Sequence, residues 1–279
     1  TIRVAIVGAT GYTGLHLIDL LARHPSAKVT YLASHRDELP DIRDEFPQLT
    51  GRVADSVARC QPIDPDAIAR DADVAFLGLP HKAAMSYVPQ LLDAGLRVID
   101  LSADYRLTDP ALYERIYKHP HEDRDNLAEA VYGLPELFRK DLPGAMLVAN
   151  PGCYPTAAAL AIAPLLTHSL AKSDRVLINA ASGVTGAGRK PADHLHFPEQ
   201  NGAYMAYGTA AATATSPMPN IKHVVGTNFC DLAVRLAEVG DRPQIVVFAA
   251  IDNMIKGASG QAVQNMNAVF ENSEAAGLG

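Results

Sequence analysis

Ile2-Arg3-Val4-Ala5-Ile6-Val7-Gly8-Ala9-Thr10-Gly11-Tyr12-Thr13-Gly14 is the stretch that decides the fold. Ile2 to Val7 is a short apolar run rich in β-branched residues, the pattern of a buried strand. Three glycines follow at three-residue spacing, and then Leu17, Ile18, Leu21 and Ala22 recur with helical spacing until Pro25. Strand, glycine turn and helix is the setting a dinucleotide site requires. Gly8 permits the tight turn, Gly11 admits a pyrophosphate against the backbone, and Gly14 lets the helix pack closely. The spacing is GxxGxxG, a variant also used by NADP-dependent folds, and it places Thr10, Tyr12 and Thr13 among the expected cofactor contacts. A glycine turn without a ligand is the alternative, and its position at the head of an α/β pattern weighs against it.

The strands continue the pattern. Val29 to Ala33 reads as the second, Val74 to Leu79 as the third, Leu96 to Leu101 as the fourth and Ala145 to Ala149 as the last of this half, with helices expected over Asp64–Asp71 and Lys82–Ala94. Such βαβαβ alternation predicts a parallel, doubly wound sheet, whose ligands bind at the carboxyl ends of the strands. Gly8, Ser34, Pro80, His81 and Ser102 all fall at those ends. After the second strand an NAD site places an acidic residue. Here Ser34 and Arg36 stand in that place and suit a 2′-phosphate, so NADP(H) is preferred, an ordinary loop arginine being the alternative. Arg106 lies just past the fourth strand. It is either a bidentate clamp for a substrate carboxylate or phosphate, or the partner of Asp104.

A second stretch carries chemistry. Ala149-Asn150-Pro151-Gly152-Cys153-Tyr154-Pro155-Thr156 joins the last strand to a helical run from Thr156 to Leu166. Cys153 is therefore expected within a turn of a helix N-terminus, where unpaired N–H groups and the helix dipole favour a thiolate nucleophile. A strand is expected over Arg175–Ala180. It leads into Ser182-Gly183-Val184-Thr185-Gly186-Ala187-Gly188-Arg189-Lys190, a loop of glycines and donors that favours anions over the alternative of a plain surface loop. Phe229–Leu236 and Gln244–Ile251 read as a strand pair, so the second domain should be α+β with a mixed or antiparallel sheet. Asn253 and Lys256 occupy a glycine-containing turn, and the helix after it presents Ala262, Val263, Met266, Val269 and Phe270 as core.

The bulk properties narrow the class. A chain of 279 residues that is 48% hydrophobic can fill two domains. The expected division is residues 1–150 for the nucleotide and 151–256 for catalysis, substrate and dimerisation, with a C-terminal helix over 257–272 packing back on the first. A net charge of −7 without a basic cluster disfavours nucleic acid. No apolar run approaches the ~18 residues of a membrane span. Cys60, Cys153 and Cys230 have no metal-ligand spacing, and neither do the histidines, so no metal is expected. The opening strand has no signal-peptide layout, and a reducing, cytoplasmic compartment fits.

Taken together, the two stretches above with Leu101-Ser-Ala-Asp-Tyr-Arg106, Ser182 to Lys190, Gly226-Thr-Asn-Phe-Cys-Asp231 and Asp252 to Asn267 resemble the N-acetyl-γ-glutamyl-phosphate reductases, relatives of aspartate-semialdehyde dehydrogenase. The resemblance implies an NADPH-dependent reduction of an acyl phosphate to a semialdehyde through a thioester on Cys153, in arginine biosynthesis. It implies Ser182, Gly183 and Asn253 as further cofactor contacts, with Arg106, Thr185, Gly186 and Arg189 around the substrate. A homo-oligomer is also expected, with the second-domain sheet as a subunit interface. A lysine-pathway acyl-phosphate reductase and a non-catalytic NADP-binding redox sensor are the other readings. One departure stands out. The family carries a His-Arg-His-x-Pro-Glu-Ile motif that supplies the histidine working with the cysteine. Here the chain passes from Ala206-Tyr207-Gly208 through an alanine/threonine patch to Pro217-Met218-Pro219-Asn220, leaving only His81, His194 and His196 as stand-ins. Because the other motifs are intact, a missing internal segment after Tyr207 is expected rather than a lost function.

Overall fold

The computed structural model describes residues 1–173, 176–189, 218–239 and 242–279, which divide into two compact units: Thr1–Gly152 with Ala258–Gly279, and Cys153–Gly257.

The first unit is built on a parallel sheet. Its strands are β1 (Ile2–Val7), β2 (Ala27–Ala33), β3 (Val74–Leu77), β4 (Arg97–Asp100), β5 (Val131–Tyr132) and β6 (Leu147–Ala149), in the order β2-β1-β3-β4-β6-β5. Every pair is parallel, with Val4 opposite Val74 and Asp100 opposite Ala149. The continuous apolar runs follow from burial on both faces: Val4, Ala5, Ile6 and Val7 are all fully buried. Ala5, Val7, Ala75, Leu77 and Val98 share one core cluster with Met85, Val88 and Leu91 of the helix Ala84–Asp93. The helix Tyr12–Leu21 packs on β1, β2 and the C-terminal helix Gly260–Val269, which itself packs on β4. The helix Pro65–Asp71 starts where the sequence placed it, because the Asp64 carboxylate accepts from the N–H groups of Asp66 and Ala67. Between β1 and β3 the winding reverses, and the crevice this opens at their carboxyl ends holds the glycine turn.

Val131 and Tyr132 form a short edge strand, pairing with Val148 and Ala149. Every residue of Gly260–Val269 is buried, polar ones included, so that helix has no solvent face.

The second unit contains the helix Cys153–Thr167 and an antiparallel pair, β7 (Cys230–Val239) and β8 (Arg242–Ile251), joined in unbroken register from Cys230 opposite Ile251. The helix packs on β8. Along β7 the small or polar residues Ala233, Arg235 and Ala237 are buried, whereas Leu232, Val234 and Leu236 are 44%, 50% and 69% exposed. The expected strand at Arg175–Ala180 is not present in its described part, Val176–Ala180: no strand among the described residues pairs with it, and Leu177 stands 91% exposed.

Candidate active site

In the first unit the site begins with backbone shape. Gly8 has φ +91°, and a Cβ there would stand 2.3 Å from the Gly78 carbonyl oxygen at the end of β3. A Cβ on Gly14 would stand 2.3 Å from the Ala9 carbonyl oxygen. The Gly11 N–H donates to the Gly8 carbonyl at 3.2 Å, and Gly11 caps the helix Tyr12–Leu21 with no side chain of its own. Helix geometry leaves the N–H groups of Tyr12, Thr13 and Gly14 without carbonyl partners in that helix, and they form an anion-binding end with no side chain in front of it. A dinucleotide pyrophosphate fits this cradle. Thr10 is buried, Tyr12 and Thr13 are half-buried, and Thr13 approaches Gly78. Ser34 is buried at the end of β2, where its hydroxyl accepts from the Arg36 N–H. The Arg36 guanidinium reaches Glu45 at 2.6 Å, so it is an ion-paired arginine just past β2. Pro80 is exposed beyond β3.

The Leu101–Arg106 segment ties down the carboxyl edge of β3, β4 and β6. Asp100 accepts from the Ser102 N–H at 3.0 Å and hydroxyl at 2.6 Å, and the Ser102 hydroxyl accepts in turn from the Asp104 N–H. Burial pushes the Asp100 carboxyl up to about 7 despite those donors. Asp104, also fully buried, accepts from the Lys82 N–H and the Tyr113 hydroxyl and faces His81 Nδ1 at 2.8 Å. Of its two expected courses, Arg106 does not take the pair with Asp104. Its Nε donates to the Asn150 carbonyl and its Nη2 to the Leu101 carbonyl, both at 2.8 Å. Its Nη1 lies against Gly152, where a Cβ would come within 3.0 Å. The motif supports the turn that precedes Cys153.

The second unit assembles a cluster around Cys153, the first residue of its helix and a half-buried free thiol. Its Sγ lies 4.0 Å from the Ser182 hydroxyl. Gly183 caps a 3-10 turn over Val184–Ala187 that carries Thr185 and Gly186. The Asn253 amide donates to the Thr185 hydroxyl at 2.9 Å, and its oxygen stands 3.5 Å from a Cβ position on Gly183. A Cβ on Gly186 would meet the Ser182 hydroxyl at 2.9 Å. Cys153, Ser182, Gly183, Thr185, Gly186 and Asn253 thus form one group, and the exposed Arg189 follows on the same loop. His194, His196, Lys190 and the patch around Tyr207 lie outside the described residues.

Two members of the group were not read from the sequence. A Cβ on Gly257 would stand 2.6 Å from the Cβ of Cys153, so only glycine admits the cysteine at that distance. Asp252 shapes the turn bearing Asn253: its carboxylate accepts from the N–H groups of Met254, Ile255 and Gly226, at 2.8, 3.0 and 2.7 Å, and its carbonyl accepts from the Gly257 N–H. Asp followed by Asn and a nearby glycine is the local signal for such a turn. Among the described residues no cluster of His, Cys, Asp and Glu could hold a metal, and no helix is long and apolar enough to cross a membrane.

The chain matches two family models, the semialdehyde dehydrogenase NAD binding domain over residues 3–145 and the semialdehyde dehydrogenase dimerisation domain over residues 153–213. It is 38% identical to the N-acetyl-gamma-glutamyl-phosphate reductase of Geobacter sulfurreducens, over 99% of this chain and 98% of that protein. It is 36% identical to the reductase of the same name from Symbiobacterium thermophilum, over 100% and 97%. The first of these alignments is 344 positions long against a chain of 279 residues, so at least 65 positions have no counterpart here. Among solved structures, aspartate semialdehyde dehydrogenase II of Vibrio cholerae shares the fold at 15% identity, with a TM-score of 0.61 over 96% of this chain and 98% of that one.

Proposed function

The chain belongs to the semialdehyde dehydrogenase family, in its N-acetyl-gamma-glutamyl-phosphate reductase branch, and from that premise we propose that it reduces N-acetyl-γ-glutamyl phosphate to N-acetylglutamate 5-semialdehyde through a thioester on Cys153, in arginine biosynthesis. The observation that carries this is the placement of Cys153: a half-buried thiol on the first turn of a helix, against Gly257 and beside the Ser182 hydroxyl. A thiolate there forms the S–C bond to the acyl carbon while the C–O bond to phosphate breaks, and a thiolate is also a good leaving group at the aldehyde stage. Ser182, Thr185 and the N–H groups of Val184 and Thr185 are the donors we assign to the departing phosphate, those of Gly186 and Gly188 being spent within the turn, with Arg189 on the same loop for charge. Gly8, Thr10, Gly11, Tyr12, Thr13 and Gly14 would hold the dinucleotide, with Ser34 and Arg36 on the 2′-phosphate of NADP(H), and Pro80, Gly183 and Asn253 completing its contacts. When bound, the dinucleotide supplies the hydride that brings the thioester to the aldehyde level. Arg106 keeps its two backbone acceptors while Nη1 serves the substrate.

We assign the exposed leucines and valine of β7 to a homo-oligomer contact, and the second unit also matches a dimerisation domain over residues 153–213. A cytoplasmic location accords with three free thiols. The test is the reverse reaction. NADP⁺ reduction is expected only when N-acetylglutamate semialdehyde and inorganic phosphate are both present. Turnover that ignores phosphate, or none at all with the full chain, overturns the proposal.

A further inference from the structure

The C-terminal helix Gly260–Val269 carries buried amides as well as apolar residues, and those amides have addresses. Gln261, Asn265 and Asn267 are all fully buried. The Asn265 amide nitrogen donates to the Gly133 carbonyl at 2.8 Å and to the Asn150 side-chain oxygen at 2.9 Å. The Asn150 amide nitrogen donates onward to the carbonyls of Pro151, at 3.1 Å, and Ala258, at 3.3 Å. Asn150 is itself 1% exposed and opens the Asn150-Pro151-Gly152 turn that runs straight into Cys153. Its carbonyl is held from the other side by Arg106. The fit around Asn265 is tight, since a Cβ on Gly133 would stand 2.3 Å from the Asn265 amide nitrogen. Both hydrogens of that amide are donated to fixed acceptors, which sets the orientation of the Asn150 side chain and leaves its own NH2 to close the turn.

We propose that Asn265 is a positioning residue for the nucleophile: through Asn150 it fixes the turn that aims Cys153. The catalytic part of this inference rests on the reductase reading, while the positioning part stands on the reactivity of the thiol alone. The same helix supplies a control. The Ser259 hydroxyl, just before it, donates to the Thr13 carbonyl in the dinucleotide turn at 3.1 Å, a hydrogen bond outside the Asn265–Asn150 chain.

The experiment uses four full-length proteins: wild type, Asn265→Leu, Gly133→Ala and Ser259→Ala. Leucine keeps the volume of Asn265 and removes both donors. The Gly133 change perturbs the same contact from the residue that follows β5. Two readouts are taken: the rate constant for iodoacetamide alkylation of Cys153, and kcat and KM of the reductase. Asn265→Leu and Gly133→Ala are expected to change the alkylation rate constant and to lower kcat by up to about 100-fold with KM little changed, the cost of a nucleophile misplaced by roughly 1 Å. Ser259→Ala is expected to leave the alkylation rate constant at the wild-type value. An unchanged rate constant in both Asn265→Leu and Gly133→Ala overturns the proposal, and so does an equal change in Ser259→Ala, which would mean general loosening of the helix. If wild type has no reductase activity, the function is wrong and the alkylation arm still decides the positioning.

Discussion

The dinucleotide turn and the cysteine cluster are built by opposite means. In the first unit the working surface is backbone: Gly8 at positive φ, the close approach of Gly78, and a helix end with no capping side chain. In the second it is side chains brought from segments far apart in sequence, with Cys153, Ser182, Thr185, Asn253 and the floor at Gly257 meeting across loops. A dinucleotide needs a shape that many chemistries can share. An acyl phosphate needs a nucleophile and donors at defined positions, and loops supply these independently of the scaffold. The cysteines show the same contrast. Cys60 is fully buried in the first unit, and burial pushes its thiol up to about 11, while Cys153 is half-buried at a helix start.

The largest test of that contrast is to remove the nucleophile. Cys153→Ser is expected to lower kcat by at least about 10³-fold, with the dissociation constant for NADPH unchanged as measured by fluorescence titration. Cys60→Ser should leave both intact. Retained turnover in Cys153→Ser would end the thioester mechanism and make the second unit something other than the chemical half.

Next in size is a pH effect confined to the first unit. The folded Asp100 carboxyl titrates at about 7, above its ordinary value of 3.8, because burial outweighs the Ser102 donors. The folded state therefore holds this proton more tightly than the unfolded chain. The resulting stabilisation is full below about pH 4 and is lost as pH rises through about 7, at roughly 1 kcal/mol per pH unit. Asp100→Asn removes the titration, so its urea midpoint should fall less than that of wild type between pH 5 and pH 8. Parallel profiles for the two proteins would mean that Asp100 is ionised throughout.

One added methyl separates the units again. Gly8→Ala puts a Cβ 2.3 Å from a carbonyl oxygen at φ +91°. It should weaken dinucleotide binding and lower thermal stability. Gly257→Ala puts a Cβ 2.6 Å from that of Cys153 and should cost about 100-fold in kcat while sparing cofactor affinity. If Gly257→Ala weakens NADPH binding as much as Gly8→Ala does, the division of labour between the two regions is wrong.

How much of this was legible follows the same line. The strands of the parallel sheet are buried on both faces, so Ile2–Val7 and Val74–Leu77 announce themselves as apolar runs, and the glycine spacing marks the turn from the first of them into its helix. Val131–Tyr132 escapes because two residues carry no periodicity and their strand identity comes only from pairing with β6. Cys153 was readable from its neighbours, yet its floor was not: Gly257 matters through a contact more than a hundred positions away in the chain. The apolar run Val176–Ala180 reads as a strand from composition alone, although composition names no partner for it. Asn265 was hidden for the opposite reason. A polar residue in a helix reads as solvent-facing, and only tertiary structure turns it inward onto Asn150.

The smallest expected effect concerns Arg36, one of the two side chains proposed to hold the 2′-phosphate. Arg36 stands beyond β2 with its guanidinium 2.6 Å from Glu45, in a pair whose arginine is 41% exposed. An exposed pair of this kind is worth at most about 1 kcal/mol, whereas a guanidinium on a phosphate gains from charge on both sides and from two parallel hydrogen bonds. Glu45 can therefore lose the arginine to a 2′-phosphate, while holding it ready in the meantime. Arg36→Ala should reduce the preference for NADPH over NADH about tenfold, the worth of one such contact, and leave NADH binding alone. Glu45→Gln should move NADPH affinity by no more than about threefold. Equal losses for both cofactors in Arg36→Ala would show that Arg36 props the loop and that selectivity, like the rest of this turn, is written in the backbone.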